Sequence, residues 1–369
     1  MKSISLRFEG EYWDYLIKYN LLYLWTFNGE LEIYNWEDIL IYLSENKEIK
    51  IYSIFQGRKN EKLLIMDLLI NEKLVDDINI TLSKSELNKY LIKKYNTPTG
   101  ELTISLDSYG EKLLLNTDEG LFLSELDDIE NSQKIFDMSF YNLNIGSYGK
   151  VALSAGDDGV FGLQLLKKNE YFTFLESEVK NITRKHSNKA EWINDNIYNT
   201  SYIEDDYIFN FSNLDSISYN SSEIFKYLPI NERSKNISWI NNNKIYRAIN
   251  NYELEEVTLI DLGNGELDFR SRTISFQSWK GDLVAGAGTS FGTVVECENA
   301  MVVIFKNHEF VNIPGEVIRW KSYKSNERYG NLLGMIYDDE IVFRAFEKYP
   351  VNYLDGEILK SISFNNKLI

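Results

Sequence analysis

Residues 108–126 read SYGEKLLLNTDEGLFLSEL, and residues 147–165 read SYGKVALSAGDDGVFGLQL. Laid over one another without a gap, the two stretches match at Leu114 and Leu153, Asp118 and Asp157, Glu119 and Asp158, Gly120 and Gly159, Phe122 and Phe161, and Leu126 and Leu165. Each runs as an apolar strand, a tight acidic turn with glycine, and a second strand of alternating large side chains, the pattern of a β-hairpin. Two successive copies point to a repeat, in which one unit cannot shield its apolar faces without a neighbour.

The same unit returns on either side. Strand 21–27 runs into Asn28-Gly29, 197–202 into Asp205-Asp206, 244–249 into Asn250-Asn251, 282–287 into Gly288-Thr289, and 331–336 into Asp338-Asp339. A short aromatic-rich strand precedes the copies, at 102–106, 138–141, 237–239, 274–276 and 317–320, and a further strand follows, as at 257–260 and 302–305. Four strands in roughly 40–50 residues is the period of a β-propeller rather than a helical solenoid. Seven hairpins are found, and an eighth is available where 63–70 meets Asn71-Glu72 after a strand at 49–55. The sequence therefore predicts an all-β, closed β-propeller of four-stranded antiparallel blades in a single domain over 1–369, with eight blades counted and seven the alternative. Closure is expected to pair residues 4–8 with C-terminal strands such as 358–364, since an unpaired edge invites aggregation. One segment departs from the pattern. At 84–95, Leu87, Tyr90, Leu91 and Lys94 share a helical face behind Ser83 or Ser85, which predicts a short inserted helix.

Through 147–165 and its Gly156-Asp157-Asp158-Gly159 turn, the chain resembles the WD40 and YncE-like β-propeller superfamily. The resemblance implies a rigid interaction platform, the commonest use of such rings, with metal binding, sugar binding, hydrolysis and oxidation as minority uses.

Composition agrees with strands and limits function. The 25 Tyr, 20 Phe and 7 Trp against 4 Pro favour pleated, half-buried surfaces. A formal charge of −17 argues against holding a phosphate backbone, which needs a basic footprint, and favours a protein partner with a basic surface. Cys297 is the lone cysteine, so no internal disulfide forms and a reducing cytoplasm suits the chain. The alternation of Ile4, Leu6 and Phe8 reads as a strand rather than a secretory signal, and the apolar runs are too short to cross a membrane. Abundant Lys, Asn and Ile suggest a prokaryotic source, bacterial or phage.

No catalytic constellation emerges. The two histidines, His186 and His308, sit in polar loop and turn contexts and read as solvated residues. Cys297 lies between Glu296 and Glu298, the wrong setting for a thiolate, and reads as a buried inert thiol. The glycine-rich 286–292 lacks the Lys-Ser/Thr ending of a phosphate loop, and the Asp157-Asp158 turn lacks the ligand spacing of a calcium loop. No cofactor and no metal are expected. Two site expectations remain. The turns Asp118-Glu119, Asp157-Asp158, Asp205-Asp206 and Asp338-Asp339 should emerge on one face as an acidic docking surface. Alternatively, Trp192, Trp239, Trp279 and Trp320 line a central channel that holds a substrate or small ligand, although the same residues also suit packing between blades. The reading favours a non-catalytic scaffold or sensor subunit of an intracellular prokaryotic complex, such as a bacterial or phage conflict system, over an enzyme or ligand binder.

Overall fold

The computed structural model describes residues 3–47, 51–56, 78–96, 103–146, 149–168, 171–173, 179–193, 196–204, 206–210, 226–228, 237–241, 244–250, 253–263, 266–275, 281–305, 310–323 and 328–346. Among them are seven sheets built on four antiparallel strands, one of them with a fifth strand added at its edge, arranged as the blades of a propeller. Blade 1 is built from Tyr12–Lys18, Leu21–Thr26, Glu30–Asn35 and Leu91–Asn96; blade 2 from Thr103–Tyr109, Lys112–Thr117, Gly120–Glu125 and Asp128–Phe136. Blade 3 comprises Asn142–Ile145, Lys150–Ser154, Val160–Gln164 and Lys180–Thr183; blade 4 comprises Lys189–Ile193, Asn196–Thr200, Asp206–Asn210 and Lys226–Leu228. Blade 5 follows with Ser238–Asn241, Lys244–Asn250, Glu253–Gly263 and Glu266–Ser275, and blade 6 with Leu283–Gly288, Gly292–Cys297, Ala300–Phe305 and Phe310–Pro314. Blade 7 takes Arg319–Ser322, Leu332–Ile336 and Glu340–Phe346 from the end of the chain and Ser3–Glu9 from its beginning. The first strands of blades 2 through 6 touch their neighbours in turn, which puts them innermost.

Seven hydrophobic clusters hold these blades, each between two adjacent sheets. Alternation along a strand explains the arrangement, because odd and even residues serve opposite neighbours. In blade 2, Leu113 and Leu115 pack toward blade 1 while Leu114 packs toward blade 3. Leu153 of blade 3 instead packs back toward blade 2, so Leu114 and Leu153, equated in the ungapped sequence match, face opposite ways. Gly156 accounts for the slip. It lies at φ +60° in a turn one residue longer than the two-residue turn between Thr117 and Gly120, and a one-residue shift exchanges the faces of a strand.

Seven blades replace the eight counted from sequence. Residues 51–55 are helical as Ile51–Phe55, not a strand, while 63–70 lie outside the described residues. They belong to an insertion between the third and outer strands of blade 1, which opens with helix Trp36–Lys47. Its Trp36, Ile39, Leu40 and Leu43 are fully or almost fully buried at helical spacing, against Phe8, Tyr34 and Phe343. Asn35 caps the helix, its Oδ1 accepting from the Asp38 amide at 3.2 Å. The insertion also supplies Ile78–Leu82, a fifth strand parallel to Ser3–Glu9. The helix expected at 84–95 is shorter: Lys84–Leu87, capped by a Ser83/Glu86 capping box, passes through a 3-10 turn at Asn88–Tyr90 into the outer strand Leu91–Asn96. Blade 6 is offset by one strand from the sequence reading, since Leu283–Gly288 is its inner strand and not its second. The expected partner of residues 4–8 is replaced by Glu340–Phe346; 358–364 lie outside the described residues.

Candidate interaction face

Because all inner strands run the same way, one face of the propeller gathers the turns between second and third strands together with the connections into each inner strand. We term it the entry face. It carries Asp118-Glu119 of blade 2, Asp157-Asp158 of blade 3 and Asp338-Asp339 of blade 7, and all six carboxylates are exposed. Asp205 lies outside the described residues, and Asp206 does not belong to a surface. Asp206 is only 3% exposed and points inward, accepting from the Tyr198 hydroxyl at 2.5 Å and the Ser201 amide at 3.4 Å. Burial pushes its carboxyl up to about 6, against the hydrogen bonds from Tyr198, Ser201 and Ser238 and the charge of Arg247.

Exposed apolar side chains share this face. Tyr141, Tyr202 and Ile203 are 69%, 65% and 67% exposed and lie around blades 3 and 4; Phe27, Val284 and Ile318 add further apolar surface on blades 1, 6 and 7. Tyr141 immediately precedes the inner strand of blade 3, and its ring lies over Gly156, where a Cβ would come within 2.5 Å. Tyr202 and Ile203 occupy the turn of blade 4, their amides held by Asn188 Oδ1 and Ser201 Oγ.

Trp192, Trp239 and Trp320 pack between blades. Trp239 is completely buried, stacked on Tyr246 and set over Gly286 of blade 6. Trp192 donates from Nε1 to the Asn144 carbonyl of blade 3 at 3.2 Å, and Trp320 donates to Glu296 of blade 6 at 2.7 Å. Trp279 lies outside the described residues. The inner strands are joined by polar residues that the sequence reading passed over. Asp14, fully buried, binds Arg319 at 2.7 Å and Lys321 at 2.5 Å, joining blade 1 to blade 7. Arg319 also donates to the Ile104 carbonyl of blade 2 at 3.1 Å and lies 4.5 Å from the Trp13 ring, while Trp13 Nε1 donates to the Thr103 carbonyl at 2.6 Å. Burial pulls the Lys321 ammonium below its ordinary range, against the attraction of Asp14. Burial likewise raises the Asp107 carboxyl. From the inner strand of blade 4, Lys189 reaches the Gly286 carbonyl of blade 6 at 3.1 Å and Glu191 accepts from the Ile240 amide of blade 5 at 3.2 Å. The inner strands thus use their polar groups on one another. Adjacent Trp13-Asp14 on an otherwise apolar strand is the sequence signal that would have found the largest of these staples.

His186 is half-buried rather than solvated, its Nδ1 2.8 Å from Ser201 Oγ and its Nε2 3.9 Å from Asp157. Ser201 itself is buried and caps the turn through the Ile203 and Glu204 amides, so this trio braces a loop and does not present a nucleophile. His308 lies outside the described residues. Cys297 is buried between blades 5 and 6. Among the described residues, no group of three or more His, Cys, Asp or Glu side chains could hold a metal, and no helix is long and apolar enough to cross a membrane.

Solved structures of similar shape share the blade plan. The WD40 domain of Neurospora crassa Pan2 matches with 8% identity over 91% of this chain and 89% of its own, at a TM-score of 0.51. The β-propeller domain of Myceliophteria thermophila Cps50 (Swd1) gives 10%, 91%, 97% and 0.53, and streptogramin B lyase gives 7%, 91%, 93% and 0.50. The chain is a divergent β-propeller. At these identities the likeness is one of fold, and a propeller's function has to be argued from its own surface. No protein-family model matches the chain, and no curated protein matches it.

Proposed function

We propose that this propeller is a non-catalytic interaction scaffold that docks a protein partner on its entry face. One observation carries the reading: exposed carboxylates at Asp118, Glu119, Asp157, Asp158, Asp338 and Asp339 share that face with the exposed Tyr141, Tyr202 and Ile203. Carboxylates around apolar side chains suit a partner with a basic surface, since the charges speed and orient encounter while the rings supply contact area. The formal charge of −17 adds a long-range field of the same sign. The reading takes the ring as closed through Ser3–Glu9, so that the entry face is one rigid surface. A chain with one cysteine forms no internal disulfide and suits a reducing cytoplasm, and we place the scaffold within an intracellular prokaryotic complex, a bacterial or phage conflict system being one such setting.

The test replaces the six carboxylates with Asn and Gln and compares capture of partners from the native host with that by the unaltered chain. Loss of the partner at low salt, and disappearance of the salt dependence of capture, is the expected result. Equal capture by the two proteins at both salt concentrations removes the docking reading.

A further inference from the structure

The junction of blades 3 and 4 buries polar oxygens where its counterparts bury large apolar side chains. Ala152 and Val160 of blade 3 meet Ala190, Ile197 and Tyr207 of blade 4. Strand alternation fixes what lies beside them. At the entry-face end, Asn142 pairs with Ser154 and Ser154 with Val160, while across the junction Ala190 pairs with Asn199 and Asn199 with Tyr207. Two rows therefore face each other, Asn142, Ser154 and Val160 against Ala190, Asn199 and Tyr207. Ser187 joins them through its backbone bridge to Gly156. Ser154, Ser187 and Asn199 are completely buried. Among the described residues the Oγ atoms of both serines and the Oδ1 atoms of Asn142 and Asn199 have no hydrogen-bond partner, although Asn199 Nδ2 donates to the His186 carbonyl at 3.0 Å. Buried oxygens left unpaired are destabilising, and a site that gathers four of them at a surface end is one in which a donor is wanted.

The surroundings specify that donor. Amide and carboxylate oxygens accept only, and hydroxyls adapt to whatever approaches. Asp157 and Asp158 stand exposed at the rim beside Tyr141 and Tyr202. The opposite end of the junction already accommodates a cation, Lys150 Nζ, 5.6 Å from the Trp192 ring. A planar guanidinium brings five N–H donors, sheds water more readily than an ammonium, and stacks on tyrosine. We propose that the junction of blades 3 and 4 receives an arginine side chain of a docked polypeptide, its guanidinium passing beside Tyr141 to the oxygens of Asn142, Ser154, Ser187 and Asn199. The inference rests on the docking reading and names the anchor within it.

The test uses a labelled nonapeptide of alternating Arg and Gly, with lysine and citrulline versions, titrated against the full chain. The arginine peptide is expected to bind at least about tenfold more tightly than either analogue, the difference made by one or two charge-assisted hydrogen bonds. Ser154→Ala should weaken the arginine peptide about tenfold while leaving the melting temperature unchanged or raised, because the alanine removes an oxygen that has no partner. Tyr141→Ala should weaken binding with the melting temperature unchanged. Equal affinity for the arginine and citrulline peptides, equal affinity for arginine and lysine, or full affinity in Ser154→Ala overturns the proposal. A lowered melting temperature in Ser154→Ala together with no arginine binding assigns the oxygens to ordered water and also overturns it. If the carboxylate replacements abolish partner capture while the arginine peptide fails to bind, this inference falls and the docking reading stands. If the carboxylate replacements leave capture untouched, it is the docking reading that falls.

Discussion

Blades 7 and 1 meet from opposite ends of the chain, whereas blades 3 and 4 follow one another directly, and the two junctions are built to different standards. At the first, the clustered side chains include Tyr12, Tyr15, Tyr34, Trp36, Phe55 and Phe343, and ten of the buried members come from the inserted helices and fifth strand. Its polar groups are bonded across the seam: Tyr15 donates to the Lys321 and Gly334 carbonyls at 2.8 and 3.0 Å, and the Ile17 amide donates to Tyr323 Oη at 2.8 Å. Trp36 Nε1 is the unpaired exception. At the second, two alanines, a valine, an isoleucine and a tyrosine form the cluster, beside oxygens with no partner. The difference follows from chain connectivity. Bringing distant segments together costs loop entropy that grows with the intervening length, so the seam needs the larger gain from burial. Sequential blades are already neighbours and can give up packing for a site.

That contrast is broken most severely at Asp14. Asp14→Ala removes the one anion that Arg319 and Lys321 share and leaves both cations facing each other between the inner strands of blades 1 and 7. A buried pair broken on one side costs about 3–5 kcal/mol, and the partial exposure of both cations puts this case near the lower end, about 3 kcal/mol. Urea unfolding measures it. A loss below about 1 kcal/mol would mean that the seam depends on its apolar cluster alone.

A smaller effect, of opposite sign, is expected at Asp206 in blade 4. Burial raises its carboxyl to about 6 in the folded chain, above its ordinary value of 3.8, so the fold favours the protonated form. The stability contributed by that proton is complete below about 4 and is lost as pH rises through about 6. At pH 7.5 the buried carboxylate therefore costs on the order of 3 kcal/mol, at 1.36 kcal/mol for each unit of displacement. Asp206→Asn keeps an acceptor for Tyr198 and carries no charge. Relative to the unaltered chain, its stability should improve by about 1–2 kcal/mol between pH 5 and pH 7.5. Parallel stability profiles for the two proteins across that range would show that the carboxylate is solvated as well when folded as when unfolded.

How much of this could be read in advance depended on the range of the interaction. The acidic turns at Asp118-Glu119 and Asp157-Asp158 were legible because turn chemistry is local. The facing of Leu114 and Leu153 was not, because the single extra residue at Gly156 sits inside a turn that otherwise matches and reverses the strand that leads into it. Helix Trp36–Lys47 has a signature in the spacing of Trp36, Ile39, Leu40 and Leu43, but the Ile and Tyr that fill it favour strands, which weakens that signal. Residues 91–94 continued a helical pattern on paper and became a strand because Leu91–Asn96 pairs with Glu30–Asn35, a partner more than fifty residues away. The inward turn of Asp206 and the unpaired oxygens of Ser154, Ser187 and Asn199 depend on which side chains meet across two sheets, and that is set only once the ring has assembled.

The smallest expected effect sharpens the comparison from the other side. Tyr202 and Ile203 stand about two-thirds exposed beside the thinly packed junction, and Tyr202→Ala with Ile203→Ser removes apolar surface that little else covers. Substitutions at such positions shift stability by no more than about 0.5 kcal/mol, against about 3 kcal/mol at Asp14. Their backbone amides stay bonded to Asn188 Oδ1 and Ser201 Oγ whatever the side chains, so the turn should keep its shape. A double variant that unfolds in urea like the unaltered chain but captures less partner assigns these residues to binding. One that loses 2 kcal/mol or more, on the order of a core truncation, would show that the blade 3–4 side leans on its surface residues for packing and is no weaker in construction than the seam.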